Sequence, residues 1–155
     1  MPFSVSPTMT LVLEARNLER RLEKNLQEVG LNLRKFGIMG HLSSNPGLSF
    51  TDIADRAGIT VQSVHTIVSD LMKSGWVTTD GMPGRGRAAT LRLSDAGVEC
   101  MDAARQTVGR IDEEVFGIST GKEWQNLASA LRGVAYSRLR TRSGGTLKGT
   151  KPSGR

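Results

Sequence analysis

Apolar side chains recur every three or four positions along most of this chain, and the runs break at glycines or at Ser, Thr and Asn residues able to cap a helix. Leu11, Ala15, Leu18, Leu22, Leu26 and Val29 make one stripe beneath a mixed-charge surface, which predicts a long helix closed by Gly30. Asn32 then caps a second helix with Phe36, Met39 and Leu42 on its buried side, and Ser43–Gly47 reads as a loop. Ser49, with Asp52 three residues on, resembles a capping box and opens a short helix through Ala57. Gly58 interrupts it. Thr60 caps the next helix, which runs to about Ser74, and Gly75 stops that one.

The period then changes. Trp76–Thr79 and Thr90–Leu93 are short β-prone runs joined by a Gly-, Pro- and Arg-rich loop, which predicts a hairpin. Ser94 opens another long helix whose stripe is Val98, Met101, Ala104, Val108, Ile111 and Val115. Thr120–Glu123 has capping-box form and starts a last helix with Trp124, Leu127, Leu131 and Val134 facing inward. The expected fold is mainly α with a small β-hairpin (α+β): a winged helix-turn-helix between long N- and C-terminal dimerisation helices. Residues 1–30 form the first dimerisation helix, 31–93 the winged unit and 94–140 the second dimerisation layer. Residues 141–155 form a basic tail with too little apolar surface to fold.

Charge refines this picture. Net charge is +6, but seven of the 21 basic residues and none of the 15 acidic ones lie from Trp124 onward. Residues 1–123 therefore carry 14 basic against 15 acidic side chains, so a nucleic-acid surface must be argued locally. No apolar run approaches the roughly 20 residues of a membrane span, and the first ten residues lack the pattern of a secretory signal. With a single cysteine, Cys100, the expectation is a cytoplasmic protein. Cys100 has acidic sequence neighbours and no resolving partner, so it reads as a packed helix thiol. Two histidines, His41 and His65, are too few for a metal site, and no catalytic constellation or phosphate-binding glycine loop is present. No cofactor, metal or catalysis is expected.

The candidate chemistry lies on the helix after Gly58. Val64, Ile67, Val68, Leu71 and Met72 make its apolar stripe. The other face offers Thr60, Gln62, Ser63, His65, Thr66, Ser69 and Lys73, mostly neutral hydrogen-bonding groups suited to base edges. Gln62, Ser63 and Thr66, in the first turns, are the leading readers. A solvated surface would look the same in isolation; the hairpin downstream decides the reading. Its loop carries Arg85 and Arg87, able to follow a phosphate backbone or enter a narrow minor groove. Helices this long project past a compact winged unit, and their stripes call for a second copy about a two-fold axis.

The stretch LRKFGIMGHLSSNPGLSFTDIADRAGITVQSVHTIVSDLMKSGWVTTD, followed by GRGRAATLRLSDAG, resembles the MarR family of bacterial regulators, with the likeness extending over about Leu11 to Leu139. The resemblance implies a homodimeric regulator reading a pseudo-palindromic duplex and released by a small aromatic or phenolic effector. Leu22, Leu26, Phe36, Met39 and Met101 would line the effector cleft, although the same residues suit a core. Two positions depart from the family pattern. Arg85 stands where the wing commonly carries an Asp, and Asp70 stands where a basic residue often precedes the Leu. They read as independent surface changes, with a sign-exchanged attraction between them as the alternative. The competing function is a winged-helix module that binds protein rather than DNA.

Overall fold

Pro7 sets where the first helix begins. A proline loses nothing at the first helical position, where its missing N–H would be unpaired anyway. Helix α1 accordingly spans Pro7–Gln27 behind Ser6, four residues earlier than the apolar stripe alone suggested. The structure, a computed structural model, describes residues 6–80 and 90–143. After α1 come α2 (Leu33–Ser44), α3 (Phe50–Ala57), α4 (Val61–Lys73), β1 (Val77–Asp80), β2 (Thr90–Leu93), α5 (Asp95–Phe116) and α6 (Lys122–Ser143). The mainly helical α+β architecture with one antiparallel hairpin is the expected one.

Residues up to Gly109 form one compact unit and those from Arg110 a second, with α5 continuous across the boundary. The first unit is built on Leu26, Leu31, Ile38, Met39, Leu42, Ile53, Val64, Val68, Leu71, Leu91, Met101 and Ala104. Leu26 is the fully buried residue of α1, while Leu11 and Leu13 stay more than half exposed at 53% and 52%. Asn32 caps α2 as expected, its side chain accepting from the Lys35 N–H at 2.8 Å. Glu23 of α1 adds a second cap by accepting from the Leu33 N–H at 2.8 Å. Together they satisfy two of the donors a helix start leaves open.

Several expectations shift. The first strand begins at Val77, because the Trp76 N–H is spent on the Leu71 carbonyl in closing the turn after α4. On α5 the buried line is Gly97, Met101, Ala104, Thr107 and Ile111, and Val98 is exposed. Gly97 takes the inward place because α5 runs against the Trp76 carbonyl, where any Cβ would collide.

In the second unit the Thr120–Glu123 capping box does not form. The Thr120 hydroxyl turns back to donate to the Gly117 carbonyl at 2.7 Å, and the Gly121 carbonyl accepts from the Trp124 and Gln125 N–H groups. The Gln125 amide closes the loop by donating to the carbonyls of Ile118 and Thr120 at 3.2 and 3.1 Å. Trp124, which packs on Phe116, and Leu127 are half-buried, and Ala128 is buried. Leu131 and Val134, expected inside, are exposed. Helix α6 runs three residues past the expected end at Arg140, and positions 144–155 of the tail lie outside the described residues.

Candidate nucleic-acid interface

Helix α4 owes its position to the turn before it. Ser49 and Asp52 form a reciprocal capping box on α3: Ser49 Oγ accepts from the Asp52 N–H, and Asp52 Oδ2 accepts from the Ser49 N–H at 2.9 Å. The hydrogen bonds from the Ser49 side chain and then its backbone hold the Asp52 carboxyl below its usual range. At the other end of α3, Gly58 adopts φ +67°, a left-handed conformation that favours glycine, and the Ile59 N–H reaches the Ala54 carbonyl at 3.1 Å. The chain then enters α4, with Thr60 Oγ1 accepting from the Ser63 N–H at 3.1 Å.

Val64, Val68 and Leu71 of α4 are fully buried, in one core with Ile53 and Ala54 of α3. Ile67 is partly buried against that core, whereas Met72, read as part of the stripe, is 41% exposed. At about 100° per residue, burying 64, 68 and 71 turns 62, 66, 69 and 73 outward. Gln62, Thr66, Ser69 and Lys73 are exposed accordingly, as are Thr60 and His65; Ser63 is half-buried.

These groups differ in what they have left to offer. Ser63 shares a hydroxyl–hydroxyl hydrogen bond of 2.9 Å with Thr60, so both serve the helix start. Thr66 Oγ1 donates to the Gln62 carbonyl at 3.2 Å, which keeps its lone pairs outward. The Gln62 amide makes no side-chain hydrogen bond to another described residue, and is the best-placed group able both to donate and to accept. Lys73 pairs with Asp70 at 3.6 Å, an exposed i,i+3 contact of little energetic consequence. Asp70 thus has a local partner. Arg85, its suggested partner, and Arg87 lie outside the described residues.

The base of the hairpin is well defined. Val77 lies opposite Leu93 and Asp80 opposite Thr90, with an Asp80–Arg92 ion pair of 3.0 Å across the strands. Leu48 adds a bridge to Leu91: the Leu91 N–H donates to the Leu48 carbonyl and the Leu91 carbonyl accepts from the Gly47 N–H, each at 2.9 Å. The hairpin root is therefore stitched to the segment that leads into α3. Sequence patterning missed this link because one residue in a loop leaves no period to read.

Of the suggested effector-cleft residues, Leu26, Met39 and Met101 are fully buried in the core, Phe36 packs against it and Leu22 is half-buried. A different concavity opens on the flank of α4: a shallow groove of about 450 Å³ lined by Phe50, His65, Val68, Ser69, Met72 and Lys73. Cys100 is half-buried, its thiol 3.7 Å from the Val29 carbonyl and pushed up by burial, contrary to what a redox sensor needs. Among the described residues no cluster of ligating side chains could hold a metal, and no helix is long and apolar enough to cross a membrane.

Comparison with known proteins agrees with this geometry. Residues 29–88 match the sequence model of the MarR family. The HTH-type transcriptional repressor Rv2887 of Mycobacterium tuberculosis is 29% identical over 98 residues, spanning 63% of this chain and 70% of the relative. The crystal structure of the M. tuberculosis MarR family protein Rv2887 in complex with DNA superposes with a TM-score of 0.71 at 23% identity, covering 84% of this chain and 98% of that one. Its complex with salicylic acid gives 0.67 at 23% identity over 86% and 99%. The capped α3–turn–α4 pair and the first strand of the hairpin fall inside the matched segment, so residues 29–88 of this chain resemble the MarR family and the fold is that of its solved members.

Proposed function

We propose that the protein is a sequence-specific, double-stranded-DNA-binding transcription regulator, a homodimeric repressor rather than an enzyme, reading a pseudo-palindromic operator. One observation carries this reading: α4 buries Val64, Val68 and Leu71 and turns Gln62, Thr66 and Ser69 to solvent on a rigidly capped helix pair. Neutral amide and hydroxyl groups on a helix of this size suit major-groove base edges. Arg85 and Arg87 would serve the adjoining backbone or minor groove. The similar Rv2887 has been crystallised with DNA, which supports the same assignment.

Dimerisation is supported by apolar side chains left open on the long helices: Leu11 and Leu13 on α1, Leu131 and Val134 on α6. A second copy related by a two-fold would cover them and set two recognition helices roughly 34–36 Å apart, one turn of DNA. A small aromatic acid is the proposed effector class, on the strength of the salicylic acid complex of Rv2887. Leu22, Leu26, Phe36, Met39 and Met101 would surround such a compound only if the core around them opened. A cytoplasmic, nucleoid-associated location follows from the same function.

Selection of bound duplexes from a random pool tests the assignment. The expected product is an inverted repeat, bound with an affinity that falls steeply with salt. Recovery of no preferred sequence would leave the winged unit as a protein-docking module instead.

A further inference from the structure

His65 does not stand free on α4. Its ring stacks on that of Phe50, with centroids 3.9 Å apart and planes within 12° of parallel. Phe50 is the first residue of α3, directly after the Ser49 cap, and its ring is half-buried against the core. The capping box therefore fixes the backbone that carries Phe50, and the core fixes its ring.

Helical geometry sets His65 about 60° to one side of Gln62, on the flank facing α3. There it forms the rim of the shallow groove whose floor includes Phe50, Val68 and Met72. An exposed histidine ordinarily samples several rotamers. Here one imidazole face is covered, and the ring nitrogens, which lie in the ring plane, remain at the open edge with no hydrogen-bond partner among the described residues. Such an arrangement is what base reading requires: a donor or acceptor held in place by packing from behind.

We propose that Phe50 is a positioning residue for sequence recognition, clamping His65 so that its ring edge reads one base pair beside those met by Gln62 and Thr66. The natural targets are the N7 acceptor of a purine or the O6 acceptor of guanine, met by an imidazole N–H. This rests on α4 being the recognition helix.

The test measures binding of the full-length protein to its selected duplex and to variants with each base pair changed in turn. His65→Ala is expected to lose about tenfold of discrimination at one base pair in each half-site. Phe50→Leu, which keeps the apolar bulk but removes the flat ring, is expected to lose preference at that same base pair. Its affinity for random duplex and its melting temperature should stay near those of the parent. Phe50→Tyr should retain the preference, and Phe50→Leu combined with His65→Ala should be no worse than His65→Ala alone. Loss by Phe50→Leu of affinity for all duplexes alike, or of thermal stability with base preference intact, would overturn the proposal. So would an unchanged preference in both single variants. If the parent protein itself shows no preferred sequence, the fault lies in the assignment of α4, a result separable from failure of the clamp.

Discussion

Gly97 carries a constraint that no periodicity reveals. It sits in the first turn of α5, where the Ser94 hydroxyl donates to the Gly75 carbonyl at 2.6 Å and accepts from the Gly97 N–H at 3.0 Å. These bonds draw the helix onto the Trp76 backbone until a side chain at 97 has no space. Gly97→Ala is expected to destabilise the protein by about 1–3 kcal/mol, the usual consequence of overpacking, measurable by urea unfolding. A neutral result would mean that α5 can shift outward at no cost. Ser63 and Thr66, similar as residue types, also part company in three dimensions. Ser63 is occupied at the helix start, and Thr66 faces the solvent. Gln62→Ala should therefore relax preference at one base pair, and Ser63→Ala should chiefly weaken the cap of α4. Band-shift titrations on a panel of single-base variants separate the two. The outward face could be read from the spacing of its apolar residues. Which hydroxyls were already engaged could not, because it depends on rotamers.

At the scale of elements, capping chemistry was the most legible signal. Asn32, Ser49, Thr60 and Ser94 each accept from a backbone N–H three residues on. Thr120 failed by the same logic, since the Gly117 carbonyl offered its hydroxyl a nearer partner. The Ser49–Asp52 box also makes a pH prediction. Hydrogen bonding lowers the folded-state pKa of Asp52 from its ordinary 3.8, so its stabilising contribution is complete above that value. It should decline as pH falls below 3.8 and vanish once the lowered folded-state value is passed. Melting curves between pH 7 and pH 2 are expected to show a shallower acid loss for Asp52→Asn than for the parent. Identical acid limbs would remove the box as a contributor. Helix boundaries were less legible: Pro7 moved one outward, and the turn closed by Trp76 displaced β1 by a residue.

For the whole molecule, Leu11 of α1 and Leu131 and Val134 of α6 belong to the apolar stripes read from the sequence and yet face solvent, and Leu13, outside its stripe, is exposed beside them. A stripe at helical spacing announces burial without saying whether the cover comes from the same chain or another copy. The expected outcome is a dimer in sedimentation at micromolar concentration. Leu131→Glu should shift it toward monomer and weaken operator binding with a matching dependence on protein concentration. A parent that sediments as monomer would refute the shared interface. A last consequence follows from the hydroxyl of Thr66, whose hydrogen is committed to the carbonyl of Gln62. While that bond holds, its hydroxyl presents an acceptor to a duplex, and the expected complement is an exocyclic amine, the N6 of adenine or the N4 of cytosine. The half-site should bear such a base opposite this residue, and methylation of that amine should weaken binding even where the Watson–Crick letter is unchanged.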